Sequence, residues 1–387
     1  MKLLREIPRR MHWLARRVAP GTFCQHAPAG RYATLGEYAY SYEPHRDLLT
    51  QVRNYINGGV ISQYDYANDA IGRRTEISRS GSMMSETRTD AYGYNDRNEL
   101  ISAGRVALVA TDTLVASDTL VATDPEYAYS YDDIGNRLSS FDLGTNRTYV
   151  ANNLNQYTQI SNICDSASLC EQFIPQYDLD GNQTLIQTST GVWTVTYNAE
   201  NRPVLWTCGD KTIEMLFDRL GRRVEYVETS QTSQTVTNRI HRFVYDGYLC
   251  VQRLDALSNN LIELSFAWDP TEPVATRPLV MQRNGGWNFF YTHDGNKNVS
   301  DVVSFQQASG VPAHYEYAPF GAVTVSATNT AFTAFNVAAT NPFRFSSEYA
   351  DDALGLVYCD YGLQFCCRSN NLYVFAHGNG TYPKFSC

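Results

Sequence analysis

Three groupings of residues in this chain have types and spacing that could do chemistry. Asp178 and Asp180, in FIPQYDLDGNQTL at 173–185, make a small carboxylate-rich loop with Asp at alternate positions, as a calcium loop has. Asp351 and Asp352, with Glu348 close by, are a candidate carboxylate set for general acid–base work. His293 and Asp294 place an imidazole beside a carboxylate. Each also has a structural reading. A calcium loop needs a distal bidentate Glu and flanking helices, and here no such Glu follows and both flanks read as strands. Neighbours on a strand point to opposite faces, so His293 and Asp294 share a pocket only if they lie in a turn. Asp351 and Asp352 precede Gly355 and read as a turn. No G-x-S-x-G, P-loop, H-E-x-x-H or G-x-G-x-x-G motif occurs, so no catalytic or cofactor site is assigned. The nine cysteines form no C-x-x-C pair and no zinc-type spacing, so no metal site is assigned either.

The skeleton of 173–185 returns along the chain. An aromatic residue, then Asp or Asn, then a Gly or Asn turn begins at Tyr66, Tyr94, Tyr131, Tyr149, Tyr177, Tyr197 and Phe217, with weaker copies at Tyr245, Trp268 and Tyr291. The interval is 20 residues from Tyr177 to Tyr197 and again to Phe217. Two short strands and two turns come to roughly this length. Tyr127-Ala-Tyr129-Ser-Tyr131 alternates as a strand does, the Asp starts the turn through its carboxylate, and Gly135, Gly181 and Gly221 supply a positive φ. Asn201 fills that role in its own unit. Each unit therefore reads as a β-hairpin with a loop of three to five residues. The fold class is all-β, built of repeated antiparallel hairpins, with Tyr131, Tyr177, Tyr197 and Phe217 packing the sheet.

Composition agrees. There are 27 tyrosines in 387 residues, and aromatic residues favour half-buried pleated surfaces. A net charge of −9 argues against non-specific nucleic-acid binding. No run of about 18 apolar residues is present, so no membrane span is expected. The start is basic and lacks the apolar stretch of a secretory signal. Residues 1–38 read as a poorly ordered segment or a short helix. The array runs over 39–286, with an insertion at about 106–124 where ATDTLV-ASDTLV-ATD interrupts the pattern.

The units YDDIGNRL (131–138), YDLDGNQTL (177–185), YNAENRPV (197–204) and FDRLGRRV (217–224) resemble the tyrosine-aspartate (YD) repeats of the Rhs family. A second stretch is similar to the Rhs-associated core segment and spans 287–360. It carries His293-Asp294-Gly295 with Asn298-Val299, then Tyr315 and Tyr317 with Pro319-Phe320-Gly321, then Asn341-Pro-Phe343-Arg344-Phe through Leu356. The resemblance implies hairpins winding into a β-spiral shell that encloses a toxic domain in a bacterial, secreted or cell-surface protein. The core segment would close one end. Pro319, Phe320, Gly321, Phe343 and Arg344 would shape that closure, with Arg344 paired to a carboxylate of the shell.

In many family members the core also cuts the chain after itself with a pair of aspartates. The Y-D-P…G-R…D-P block of that step is absent or reduced to CDYGLQFCCRS, and no Asp follows Asp360. Self-cleavage is therefore not expected, and the chain is expected not to be an enzyme. The tail, 361–387, is atypical and reads as that of a truncated or frame-shifted copy. The implied partners are a toxin domain or a secretion apparatus encoded separately. Two other readings stay open: a cell-surface carbohydrate-binding or adhesion module using the repeated tyrosines, and a diverged self-cleaving aspartyl-type core.

Overall fold

The structure is a computed structural model. It describes residues 22–26, 32–107, 121–122, 126–163, 169–231, 235–270, 277–306, 310–328, 335–359, 364–367 and 373–375. Its regular structure is almost entirely antiparallel strand, in three sheets. The first sheet runs from β1 (Thr22–His26) to β13 (Leu169–Phe173), and the second from β14 (Gln176–Tyr177) to β27 (Val323–Thr328). In the second sheet every strand pairs with its neighbours in sequence. The third sheet holds β28 (Tyr349–Asp351), β29 (Leu356–Cys359), β30 (Gln364–Cys367) and β31 (Tyr373–Phe375).

The chain divides into two compact units. The N-terminal unit holds Ala39–Arg53 and Val60–Gln176. The C-terminal unit holds Tyr177–Thr381 with Asn54–Gly59 and the described part of Met1–Tyr38. The second sheet crosses residue 286 without a break, so repeat array and core segment share it. Strands also occupy 22–26 and 32–38, where a disordered segment or a helix was expected. Aromatic and β-branched residues alternate there in YATLGEYAYSY, and that local pattern suits a strand. At the insertion, β7 (Leu100–Ala107) pairs directly with β9 (Tyr127–Tyr131), and β8 (Val121–Ala122) adds a short ladder to β7. The rest of the hexapeptide repeat lies outside the described residues, as do most of the basic start and most of the tail.

One turn recurs at the head of the units. It spans five residues, starting at Asp69, Asn95, Asp132, Asn152, Asp178, Asn198, Asp218 and Asp294. In the Asp178 copy, its own N–H donates to Asn182 O at 2.9 Å and Gly181 N–H donates back to Asp178 O at 3.1 Å. The Asp178 side chain accepts from Asp180 N at 3.0 Å and Asn182 N at 2.8 Å. The fourth residue is left-handed: φ is 95° at Gly135, 87° at Gly181, 57° at Asn201 and 82° at Gly221. Gly181→Val is expected to cost about 1–3 kcal/mol through forced positive φ. An unchanged melting temperature would contradict this.

In seven of these eight turns the fifth residue closes the turn with its side chain, and its identity follows the first; in the Asn198 copy Arg202 reaches the next turn instead. An Asp start takes a donor: Arg73 to Asp69, Asn136 to Asp132, Asn182 to Asp178, Arg222 to Asp218, Asn298 to Asp294. Two of the three Asn starts take an acceptor: Asn95 donates to Glu99 and Asn152 to Gln156. Desolvation works against the ionised Asp69, Asp132 and Asp218. The side-chain and amide bonds outweigh it and hold these carboxyls below the usual range. Successive turns are tied by the same side chains, as in Asn136 to Asn155 Oδ1, Asn182 to Asn201 Oδ1 and Arg202 to Asp218 O.

The motif aromatics Tyr131, Tyr177, Tyr197 and Phe217 are half-buried. The deeper core comes from residues two and four earlier: Tyr127 and Tyr129, Trp193 and Val195, Ile213 and Met215. Several motif tyrosines use the hydroxyl instead. Tyr94 donates to Arg74 O, Tyr131 to Leu100 O, Tyr197 to Gln183 O, Tyr245 to Arg223 O and Tyr317 to Val299 O, at 2.7–2.9 Å. Each acceptor is the first residue after an earlier five-residue turn. The tyrosine thus anchors one unit to the one before it.

Candidate functional site

The densest buried polar chemistry lies where the core segment meets the repeat strands, inside the C-terminal unit. Its centre is Arg223, the first residue after the Asp218 turn and 2% exposed. Its guanidinium donates to Asp351 Oδ2 at 2.9 Å, and Asp351 is 5% exposed. Tyr226 OH donates to the other Asp351 oxygen at 3.3 Å. Around the cation stand the rings of Tyr226, Phe243, Tyr349 and Tyr358, with centroids 4.8–5.1 Å away. This aromatic shell faces a desolvated cation with four negative ring faces. Beside it Arg253 forks onto Glu263, with both bonds at 3.0 Å, and also donates to Tyr349 OH at 3.1 Å. Tyr358 OH reaches Gly221 O at 3.3 Å.

The Asn341-Pro-Phe-Arg344 stretch forms a second centre. Asn341 is fully buried. It accepts from Tyr291 OH at 2.8 Å and donates to Phe343 O at 2.7 Å. Phe343 stands edge-on to Phe266, Trp268 and Tyr349. Arg344 is buried and donates to Ala338 O at 2.9 Å, Asn341 O at 3.1 Å and both oxygens of Asp352 at 2.8 and 2.9 Å. The carboxylate expected from the shell for Arg344 thus comes from its own segment. The repeat strands instead supply the cation for the adjacent Asp351. Pro319, Phe320 and Gly321 build another five-residue turn, begun by Ala318. Pro presets φ at its second position. Gly321, at φ 90°, lies against the Phe345 ring.

A third centre is Asp301, fully buried, which accepts from Thr292 Oγ1 at 2.8 Å and meets His314 Nδ1 at 2.7 Å. His314 is 2% exposed, and its Nε2 faces Glu316 Oε1 at 3.4 Å. Burial opposes the imidazolium charge, but the bonds to Asp301 and Glu316 outweigh it and raise the His314 pKa to about 9. A raised pKa stabilises the fold fully below the unfolded value near 6.5, and that stabilisation is lost as pH rises through about 9. Wild-type stability is therefore expected to fall over that window. His314→Gln should flatten the fall, which urea unfolding at several pH values would read. Parallel profiles for the two proteins would refute the assignment.

The three sequence candidates resolve as follows. His293 ends β24 (Trp287–His293) and is buried, while Asp294 starts the next turn. Burial first, then Arg277 and Lys297, depress the His293 pKa, so the ring is neutral and its Nε2 has no hydrogen-bond partner. Asp294 binds the amides of Asn296 and Asn298 and the Asn298 side chain. Gly295 is the second residue of that turn, and Lys297, at φ 62°, is its left-handed one. Asp351 and Asp352 face different arginines and do not converge as a pair. Asp178 spends its carboxylate on turn amides and Asn182. Among the described residues, no group of three or more His, Cys, Asp or Glu side chains is placed to hold a metal ion. No described helix is long and apolar enough to cross a membrane.

Arg223 and Arg253 were missed as site residues because both sit in strands that read as polar return strands. A signal was present: Arg74, Arg137 and Arg223 occupy the same place after their turns, and each lies over a tyrosine ring.

No protein-family model matches the chain, and no curated protein matches it. Solved structures do. The chain is similar to one in the Photorhabdus luminescens Tc holotoxin pore with a substituted TccC3, with a TM-score of 0.59 and 13% identity over 93% of this chain and 18% of that one. It is also similar to a chain of a TcdB2–TccC3–Cdc42 structure (TM-score 0.54, 14% identity, 89% of this chain, 17% of that one). A TcdB2–TccC3 structure gives a TM-score of 0.52 at 14% identity over 89% of this chain and 18% of that one. At such identities the likeness is one of fold. The chain spans less than a fifth of the length of these solved chains.

Proposed function

We propose that this chain is a structural wall segment of an Rhs-like, toxin-delivering β-shell, and not an enzyme. The observation that carries the reading is the fastening of the core segment onto the repeat strands by the caged Arg223–Asp351 pair. Arg223 reaches across to Asp351 and Arg253 to Tyr349 OH, so both buried arginines of the repeat strands bond to the core segment. A wall segment needs such a junction, whereas a catalytic site needs a group left poised for substrate. The division of Asp351 and Asp352 between two arginines weighs against the self-cleaving aspartyl reading. The commitment of motif tyrosine hydroxyls to backbone carbonyls weighs against sugar recognition by those hydroxyls. The partner in this reading is a toxin domain or delivery component from another chain, and the protein works outside the producing cell.

Protease protection tests it. A folded reporter bearing an exposed protease site is fused after Cys387, and its cleavage is compared with that of the free reporter. A wall segment that encloses its neighbour slows cleavage of the fused reporter. Equal rates, with the β-rich fold intact by circular dichroism, would remove the enclosing role.

A further inference from the structure

Two Asn-Gly-Gly triplets lie at described hairpin turns, Asn57-Gly58-Gly59 and Asn284-Gly285-Gly286. They differ in geometry. Asn284 sits in a three-residue loop between β23 (Pro278–Arg283) and β24, and all three loop residues are exposed. The Gly285 N–H donates to the Asn284 side-chain oxygen at 2.9 Å. The side-chain carbonyl is thus folded back over the backbone nitrogen of the next residue. Gly285 has no Cβ to hinder approach, and Gly286 has open space around it. The Asn284 N–H is held by Glu263 O at 3.0 Å, which fixes the base of the loop. Asn57, by contrast, is locked with Gly58 in a two-residue loop with both residues left-handed, at φ 49° and 78°.

We propose that Asn284 is a site of spontaneous backbone-directed deamidation, a modification built into this hairpin. The Gly285 nitrogen gives its proton to hydroxide and attacks Asn284 Cγ. A new N–C bond forms, the Cγ–Nδ2 bond breaks, and the amide nitrogen leaves as ammonia with a proton taken from water. The resulting five-membered succinimide is opened by water at either carbonyl, giving aspartate or isoaspartate. The balance is one water consumed and one ammonia released, with no redox change. Bringing the attacking and accepting atoms into one fixed loop supplies the proximity that such a cyclisation requires.

The consequence is local and defined. Gln306 Nε2 donates to Gly286 O at 2.9 Å, and Gln306 Oε1 accepts from Asn288 N at 2.8 Å. Isoaspartate lengthens the backbone by one methylene in front of this clamp and adds a negative charge. The clamp ties the loop to Asn288 and Gln306 of the core segment, so the modification falls where that segment begins.

The test is peptide mapping by mass spectrometry of the purified full chain after a week in mildly alkaline buffer at body temperature. Isoaspartate is localised with isoaspartyl methyltransferase labelling. The expected result is an amide-to-acid mass gain at Asn284 several-fold faster than at Asn57. In the urea-unfolded chain the two rates should converge, and Asn284→Gln should remove the gain at that site alone. An unmodified Asn284, or equal rates at both sites in the folded protein, would overturn the proposal. The third such dipeptide, Asn379-Gly380, lies outside the described residues and is scored separately.

Discussion

Asp351→Ala is expected to destabilise the C-terminal unit by about 3–5 kcal/mol, because it leaves a buried guanidinium without its counter-charge. Arg223 has no route to water at 2% exposure, and the four rings around it do not replace a carboxylate. The Tyr226 hydroxyl loses its acceptor at the same time. Urea unfolding followed by tryptophan fluorescence reads the loss. A double variant, Arg223→Met with Asp351→Leu, removes both charges and should recover most of the stability, since apolar replacement of a whole buried pair is often neutral. If Asp351→Ala unfolds within about 1 kcal/mol of the wild type, the junction is not what holds the core segment.

Gly321→Val carries the second large effect, expected at about 3–5 kcal/mol from two sources. The residue sits at φ 90°, which a β-branched side chain tolerates poorly. A Cβ there would also stand 2.6 Å from ring atoms of Phe345, so the ring must move. The expected cost of the Gly181 substitution is counted from its φ of 87° alone, and is therefore smaller. A cycle separates the two causes. Gly321→Ala should be partly rescued by Phe345→Ala, because removing the ring removes the clash and leaves the backbone strain. Additive costs in that cycle would show that the Phe345 contact is immaterial.

The parts of the fold legible in the sequence were those whose causes are local. The five-residue turn was readable because Asp or Asn, then Gly or Asn, act within a few residues of one another. The closing rule at its fifth position was also local, yet it went unread. Asp with Asn136 or Arg222, but Asn with Glu99 or Gln156, is a donor–acceptor exchange that appears only when the copies are aligned by role. The strands at 22–26 and 32–38 were hidden by a neighbouring basic stretch that invited a helical reading.

Arg223 was illegible for a different reason. Its carboxylate lies 128 residues onward, and the shared place of Arg74, Arg137 and Arg223 after their turns signals a common role without naming that partner. The core-segment motifs announced themselves by resemblance, but not the division of labour between Asp351 and Asp352. That depends on which residue of an adjacent pair faces the sheet, and only packing decides it.

The direction of the tyrosine anchors bears on how the chain is made. Every hydroxyl in the series Tyr94, Tyr131, Tyr197, Tyr245 and Tyr317 reaches a carbonyl that precedes it in sequence, by 14 to 31 residues. A hairpin leaving the ribosome therefore finds its acceptor already synthesised and already shaped by the previous turn. Assembly can follow translation from the N-terminus onward, one hairpin at a time, with short loop closures at each step. The Arg223–Asp351 pair is the opposite kind of contact, since Arg223 must wait for the last part of the array and the core segment to emerge. Until then it is a cation without its carboxylate, and the pair forms only after the strands between them are in place.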